Sequence, residues 1–176
     1  VEKLSALAFE RALADSGLRR EDIDCLTVSY TFGGPPPEEM AQLLSRIPAP
    51  LRARMGVCLD TAHVFGAGYD LANDCNGVFT RFDDVIGLDQ LGLLHLNDSK
   101  VPLGSRKDRH DLIGVGFIGE AAFRAIMTDP RLVAVSKVLE TPKGDDMVTN
   151  DRRMLALLRS FSGRDAPKRN GRRAAP

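Results

Sequence analysis

Six side chains that can bind divalent metals lie in one stretch of the chain: Asp60, His63, His95, Asp108, His110 and Glu140. All three histidines of the sequence belong to this set, and each stands two or three residues from an aspartate. Imidazole with carboxylate suits zinc or manganese, and catalytic sites leave one position open for water. A single Asp-x-x-His pair is more often a local hydrogen bond, but six such residues together predict a metal site.

The elements that must position these residues are short apolar runs, each ending in polar side chains. The runs are "GVCLD", "LGLLHLND" and "VSKVLET", and residues 82–88 and 120–127 between them have helical character. Nearly continuous apolar strands that alternate with helices indicate a parallel sheet covered on both faces. In such α/β folds the chemistry collects at the carboxyl ends of the strands. The Asp60 and His63 pair then lies in a strand-to-helix turn, and the Asp108 and His110 pair lies in a polar loop.

The remaining sequence divides into an N-terminal segment and a basic tail. The helical spacing of apolar residues over 3–17 predicts a helix, and the β-branched residues over 23–30 predict a strand. Both lie in an N-terminal segment, 1–34, whose fold assignment the sequence leaves open. The main portion covers 35–161 and begins with a short helix over 38–47 after the "GGPPP" break. It ends with a helix over 146–161. Residues 162–176 are rich in arginine and lysine, which predicts a disordered tail that aids solubility or weakly attracts phosphate.

The overall composition favours a protein of the cytoplasm without a membrane-spanning segment. The formal net charge is +0 at pH 7, so any contact with nucleic acid must be local. The three cysteines, Cys25, Cys58 and Cys75, form no CxxC pair, which fits a reducing compartment. Charged, glycine or proline residues interrupt every apolar run before it reaches the roughly 20 residues that a membrane helix needs.

Four longer strings closely resemble one family of DNA repair enzymes. They are "GVCLDTAHVFGAGYD", "LLHLNDSKVPLGSRKDRHDLIGVGFIG", "AFRAIMTDPR" and "VLETPK", and they cover residues 55–143. These strings are similar to endonuclease IV, the second family of apurinic/apyrimidinic endonucleases. The resemblance implies a TIM-type barrel of the xylose-isomerase-like class and zinc-dependent hydrolysis of the phosphodiester 5′ to abasic sites in double-stranded DNA, in base excision repair. It also implies a monomer with three clustered zinc ions.

Carried over by this resemblance, the six residues fall into two ligand sets. His63, Asp108 and His110 match the family's ligands for one zinc, and Asp60, His95 and Glu140 match those for a second. The part of the family that supplies the remaining ligands and a bridging glutamate has no counterpart, since no histidine precedes His63. A full barrel usually needs 200 or more residues. The chain is therefore expected to form a partial barrel, with an exposed sheet edge that favours self-association.

Seven further residues are candidates for binding DNA or for supporting the ligands: Tyr69, Asn97, Ser99, Lys100, Arg106, Lys107 and Arg109. Asn97, Ser99 and Lys100 are expected to orient His95 and the rim of the metal site through hydrogen bonds. The three cations around Asp108 are expected to hold DNA phosphates near the ions. The tyrosine either lines a pocket for a flipped nucleotide or packs. The alternatives are a capped loop and a solvated run of charges.

Three functions remain open from the sequence. The first is an active abasic-site endonuclease. The second is a truncated family member that binds zinc and DNA but lacks catalysis, because loss of the bridging glutamate and one set of ligands is expected to cost at least about 10³-fold in rate. The third and weakest is a sugar-isomerase-like enzyme of the same barrel class. Residues 1–30 are similar both to an earlier βα unit of the barrel and to the start of thiolase-like condensing enzymes.

Overall fold

The structure is a computed structural model that describes residues 14, 37–53 and 55–163. The helix predicted over 3–17 lies outside these ranges except for residue 14, and the strand predicted over 23–30 lies wholly outside them, as do residues 164–176 of the basic tail. Within the described residues, none of the helices has the length and apolar character needed to cross a membrane.

Six helices and five strands make up the described part of the chain. The helices are α1 (Pro37–Ser45), α2 (Ala49–Arg52), α3 (Thr61–Ala67), α4 (Leu71–Val85), α5 (Glu120–Thr128) and α6 (Thr149–Phe161). The strands are β1 (Val57–Asp60), β2 (Leu91–His95), β3 (Asp98–Ser99), β4 (His110–Asp111) and β5 (Ser136–Val138). Short 3₁₀ turns at Leu88–Gln90 and Pro130–Leu132 precede β2 and β5.

The predicted parallel sheet forms from β1, β2 and β5, in that order. Val57, Leu59 and Leu94 are buried, as expected for strands with covered faces. The register aligns Asp60 of β1 with His95 of β2. It also aligns His95 with Val138 of β5, so the carboxyl ends of the three strands are level. The three apolar runs of the sequence therefore end side by side.

A second, two-stranded antiparallel ribbon follows β2. In it β3 pairs with β4, and Ser99 lies opposite His110. Lys100 extends the pairing by donating its backbone N–H to the carbonyl of Arg109 at 2.8 Å. The polar loop predicted around Asp108 therefore closes on itself, and His110 lies on a short strand rather than in irregular chain.

The core lies between the parallel sheet and helices α4, α5 and α6. Its largest fully buried side chains include Leu71, Phe79, Leu94, Leu96, Phe123, Ile126 and Leu132. Helix α4 contacts α5, and α5 contacts α6. At the edge of this layer Arg131 donates to Asn76 at 2.8 Å and to Asp129 at 2.7 Å, and it joins the second 3₁₀ turn to α4. The helices thereby fix one face of the sheet.

The structure corrects three boundaries predicted from the sequence. The helical segment predicted over 82–88 is only the end of α4, which begins at Leu71 with Asp70 as its N-cap. That helix also contains a break at Asp74 (φ −138°, ψ 52°), whose carboxylate accepts from the N–H of Gly77 at 2.9 Å and so caps the second piece. The last helix, predicted to begin at 146, begins at Thr149. Asp146 lies before the helix, and its carboxylate accepts from the backbone N–H of Thr149.

The third boundary concerns the last apolar run. Glu140 was predicted to end a strand, whereas β5 stops at Val138 and Glu140 follows in extended chain. Residues 139–143 are held instead by contacts on both sides: Asn150 donates to the carbonyl of Pro142 at 3.0 Å, and Lys143 pairs with Asp151 at 2.9 Å. Around Glu140, hydrogen bonds to side chains thus take the place of the backbone hydrogen bonds between strands.

Candidate metal centre

Asp60 joins the end of β1 to the beginning of α3. Its oxygen Oδ1 accepts from the backbone N–H of Ala62 at 2.9 Å and of His63 at 3.3 Å, which makes it the N-cap of the helix. The "LDTAH" sequence favours this turn, since an aspartate directly after an apolar strand caps the helix that follows. Capping fixes one oxygen of the carboxylate and leaves Oδ2 facing the site.

Asp60 Oδ2 lies among all three histidines of the chain. It is 3.5 Å from His95 Nδ1, 3.7 Å from His110 Nε2 and 4.0 Å from His63 Nδ1. These rings come from β2, β4 and α3, so three different elements converge on one oxygen. The rings of His63 and His110 are themselves neighbours, with centroids 5.4 Å apart.

Two groups of ligand atoms share this carboxylate. One consists of Asp60, His95 and Glu140, and His95 Nδ1 lies 3.0 Å from Glu140 Oε2. The other consists of Asp60, His63 and His110, with ligand atoms within 4.8 Å of one another. Asp108 adjoins this second group, because its two oxygens lie 3.2 Å from His63 Nε2 and 3.1 Å from His110 Nε2. The described residues thus bring all six predicted ligands together.

The imidazoles of the second group include two buried nitrogens whose hydrogen-bonding capacity is not used by the described residues. His63 Nε2 and His110 Nε2 are buried and have no hydrogen-bond partner, although carboxylate oxygens of Asp108 lie close to both. His110 Nδ1 lies 3.2 Å from the carbonyl of Glu140, and a carbonyl oxygen only accepts. In a neutral His110 ring this contact requires the proton on Nδ1, which leaves the lone pair on Nε2. A divalent ion between these atoms would satisfy both nitrogens, so the residues fit a metal.

The charges of the site are coupled to one another. Burial by itself raises the pKa of Asp60, but the hydrogen bond from His95 and the attraction of His63 and His110 in their protonated forms outweigh it, so this pKa lies below its ordinary value. The hydrogen bond to Asp60 raises the pKa of His95. Burial, followed by the negative charges of Asp60 and Glu140, raises the pKa of the Cys58 thiol to about 11. The thiol beneath the site therefore stays protonated at neutral pH.

Asn97 and Thr61 lie behind the ligands and are fully buried. The Asn97 side chain donates to Asp60 Oδ2 at 2.8 Å and accepts from the backbone N–H of Glu140 at 2.8 Å. The Thr61 hydroxyl donates to the carbonyl of Asn97 at 2.7 Å and accepts from its N–H at 2.8 Å. Sequence reasoning identified Asn97 but missed Thr61, although its place between two ligands in "DTAH" was a signal.

Asp98 faces away from the ligands and organises the loop that leads into α5. Its carboxylate is buried and accepts from the backbone N–H groups of Gly114 and Ile118 at 2.9 Å, and of Ser99 at 2.8 Å. Phe117 adds a backbone bond to the carbonyl of Ser99 at 2.8 Å. The loop is thereby packed against β3, next to the strand residue that pairs with His110.

A basic loop, residues 100–109, runs from β3 to β4 beside the second group. Its exposed cations are Lys100, Arg106, Lys107 and Arg109. The loop is attached to the end of α3, since the N–H of Gly104 bonds to the carbonyl of Phe65 at 3.0 Å and that of Arg106 bonds to Gly66 at 2.9 Å. Four cations therefore flank Asp108 in a segment with fixed contacts.

Tyr69 lies in the turn after α3, outside both ligand groups. Burial and the negative charge of Glu38 raise its pKa, and a hydrogen bond with Arg81 opposes them. Glu38, in the first turn of α1, pairs with Arg81 of α4 at 2.5 Å. Glu38 therefore forms an ion pair at the surface between α1 and α4 and is not part of the metal site.

The fold and the site together define a class of protein: an α/β chain whose parallel strands present imidazole and carboxylate side chains at their carboxyl ends. The chain belongs to the xylose isomerase-like TIM barrel family, whose sequence model matches residues 20–161. The TIM-type fold predicted from the sequence is confirmed, and the described part supplies three parallel strands of it.

The chain is similar to proteins called endonuclease IV. A probable endonuclease 4 from Phocaeicola vulgatus is 52% identical over 110 residues, which cover 62% of this chain and 38% of that protein. One from Chloroflexus aggregans is 47% identical over 126 residues, 70% of this chain and 43% of that protein. The crystal structure of endonuclease IV from Thermus thermophilus matches with a TM-score of 0.68 and 37% identity, over 85% of this chain and 53% of that one.

These matches confirm the resemblance predicted from the sequence. They also show that this chain spans less than half the length of the two relatives named above.

Proposed function

We propose that the chain forms the metal-binding part of a DNA repair endonuclease of the endonuclease IV type, which hydrolyses the phosphodiester 5′ to an abasic site in double-stranded DNA. One observation carries this proposal: a single carboxylate oxygen of Asp60 faces three histidines, and two of them have buried nitrogens without hydrogen bonds. The similarity to relatives called endonuclease 4 supplies the reaction class.

We propose zinc as the metal, with manganese as the alternative, because the two groups mix neutral imidazole with carboxylate. One ion would take Asp60, His95 and Glu140, and the other would take His63, Asp108 and His110, with the Asp60 carboxylate shared between the two. When bound, such ions polarise a phosphate and lower the pKa of a bound water molecule. Glu140 is the most exposed of these side chains, at 51%, so its edge of the site faces the solvent from which DNA would enter.

The protein's own side chains would hold the DNA next to the ions. Lys100, Arg106, Lys107 and Arg109 are exposed on the basic loop and can neutralise phosphates on both sides of Asp108. Because the formal net charge is +0, the attraction has to come from a local cluster of cations such as this one. Ser99 supports the start of the loop, since its hydroxyl donates to the carbonyl of Val101 at 2.8 Å. Tyr69, at the far end of α3, remains a candidate for contact with the flipped nucleotide.

The same geometry supports a second function, a zinc-holding and DNA-binding protein without catalysis. The described residues offer two ligand groups, and the chain covers only 38% and 43% of the relatives compared above. A nucleophile held by fewer groups would be poorly activated. The odd cysteine count and the free thiols of Cys58 and Cys75 accord with a cytoplasmic location for either function.

Incision of a duplex with one abasic-site analogue tests the proposal. The chain, saturated with zinc, should nick the strand 5′ to the lesion, and His110→Ala should abolish nicking. Asn73→Ala, on the exposed surface of α4, serves as the control and should nick normally. Zinc binding together with DNA binding but without nicking would favour the second function. Absence of zinc binding would contradict both.

A further inference from the structure

Asn97 is hydrogen-bonded to three residues around the site: Asp60, Thr61 and Glu140. It lies two residues beyond β2, and its amide contacts Asp60 of β1 and the chain beyond β5. It is fully buried, and both its backbone and its side chain are hydrogen-bonded. From its position just beyond β2, this side chain thus contacts the end of β1 and the segment that follows β5.

We propose that Asn97 is a positioning residue that sets which oxygen of Asp60 is presented to the metals and at the same time fixes the backbone of Glu140. This inference rests on the metal site proposed above but not on DNA cleavage. Asn97 would have no contact with substrate or metal. Its effect passes through the two ligands to which it is hydrogen-bonded.

The hydrogen bonds on Asp60 support the first part. Oδ1 already accepts from two backbone N–H groups of α3, at Ala62 and His63. Oδ2 accepts from Asn97 Nδ2 at 2.8 Å, which occupies one of its lone pairs and leaves the other toward the histidines. Without Asn97 the carboxylate would be held on one side only and could turn about its Cβ–Cγ bond.

The second part concerns Glu140, which lies outside the strand ladder. Asn97 Oδ1 accepts from the backbone N–H of Glu140 at 2.8 Å, and the carbonyl oxygen of Glu140 lies 3.2 Å from His110 Nδ1. The Glu140 backbone therefore stands between Asn97 and a ligand of the other group. Since an Asn amide has an acceptor oxygen and a donor nitrogen, it can accept from the Glu140 N–H and donate to Asp60 at the same time. The Thr61 hydroxyl is hydrogen-bonded to the backbone carbonyl and N–H of Asn97, which fixes the position of the Asn97 backbone.

The substitution Asn97→Asp separates the two contacts. It keeps an acceptor for the Glu140 N–H and replaces the donor to Asp60 by an oxygen. We expect zinc affinity, measured by competition with a chromophoric chelator, to fall by about 10- to 100-fold. We also expect the visible absorption spectrum of the cobalt(II)-loaded protein to change, because the orientation of a ligand changes. The cobalt spectrum would not respond to a loss of stability alone.

Two controls bracket this variant. Asn76→Asp makes the same chemical change on the exposed face of α4, and Ile126→Ala destabilises the core within α5. Neither should change zinc affinity or the cobalt spectrum of the folded protein. A wild-type affinity and an unchanged spectrum in Asn97→Asp would overturn the proposal. An equal loss in Ile126→Ala would also overturn it, by showing that any destabilisation has this effect.

If the wild-type chain binds neither zinc nor cobalt, the metal assignment itself is wrong, and the orientation of Asp60 in the metal-free protein then tests the positioning role. Crystal structures of the wild type and of Asn97→Asp should show the Asp60 carboxylate turned away from the histidines only in the variant. An unmoved carboxylate would contradict the positioning role. The two failures are therefore distinguishable.

Discussion

At the scale of single residues, the site depends on how the two oxygens of one carboxylate are used. Asp60 gives Oδ1 to the N-terminus of α3 and turns Oδ2 toward three imidazoles. A buried carboxylate without such partners would have a raised pKa, yet the pKa of Asp60 is lowered because of the surrounding histidines. The anion is thus prepared before any metal arrives. One oxygen of the side chain caps the helix, and the other remains available to the proposed metals.

A prediction at this scale concerns the Cys75 thiol, away from the site. Burial, with the charge of Asp129, raises its pKa to about 11, so little thiolate exists at pH 8. In a Cys25→Ser, Cys58→Ser background, iodoacetamide should modify it at least about tenfold more slowly than a free cysteine, after allowance for the greater nucleophilicity of a high-pKa thiolate. The rate should keep rising to pH 10, whereas that of free cysteine levels off above its pKa of about 8.5. Mass spectrometry measures the rate, and an early plateau would contradict the expectation.

At the scale of elements, short loops place the ligands as much as the strands do. The ribbon of β3 and β4 carries His110, and the basic loop between these strands carries Asp108 and is attached to α3. The loop over 112–119 is held by the buried carboxylate of Asp98, close to the same ribbon. The elements around the second ligand group are therefore stabilised by hydrogen bonds between loops and side chains.

Gly116 in this loop should accept no side chain. A Cβ there would lie 2.4 Å from the carbonyl oxygen of Ser99 and 2.6 Å from Asp98 Oδ1, and neither atom can move without breaking the loop. We expect Gly116→Ala to lower the free energy of unfolding by about 1–3 kcal/mol or more. Gly92→Ala is the matched control, since its nearest neighbour is at an ordinary 3.6 Å, and it should cost under about 0.5 kcal/mol. Urea denaturation measures both, and equal losses would contradict the steric argument.

The cations of the basic loop give a second prediction at this scale. Arg106→Ala, Lys107→Ala and Arg109→Ala should each weaken binding to an abasic-site duplex and reduce the slope of log K against log salt by about 1. Arg152→Ala and Arg153→Ala, on exposed positions of α6, provide controls that should leave the slope unchanged. Fluorescence anisotropy at several salt concentrations measures the slope. A slope that none of the loop substitutions alters would place the DNA elsewhere.

The sequence predicted the three parallel strands, the clustering of the six candidate ligands and the fold class, because apolar runs and metal-binding residue types are local signals. It did not predict the early start of α4 or its break at Asp74, which depend on aspartate caps inside a polar segment. Thr61 was missed because a hydroxyl between two strands has a role only once their ends are adjacent. The sharing of Asp60 between two groups likewise follows from register, which pairs Asp60 with His95.

At the scale of the whole molecule, the metals should contribute to stability because they bind residues from several elements. Asp60 and His95 end β1 and β2, and Glu140 follows β5, so an ion between them would bind the folded chain and not the unfolded one. Free zinc at 100 times its dissociation constant should stabilise the fold by about 2.7 kcal/mol for each site. We expect the midpoint of thermal unfolding to rise by roughly 5–10 °C for one site. Scanning calorimetry measures the rise, chelator should reverse it, and no change would contradict a site built across the fold.

The central claim is that one carboxylate serves two metal sites, and counting metals tests it most directly. Native mass spectrometry of the zinc-loaded chain should show two ions in the wild type and one each in His95→Ala and His110→Ala. Asp60→Asn should hold none, although asparagine still caps α3 and keeps the protein folded. Asp70→Asn makes the same change at the exposed cap of α4 and should retain two ions. Two ions in Asp60→Asn, or none in the wild type, would contradict the claim.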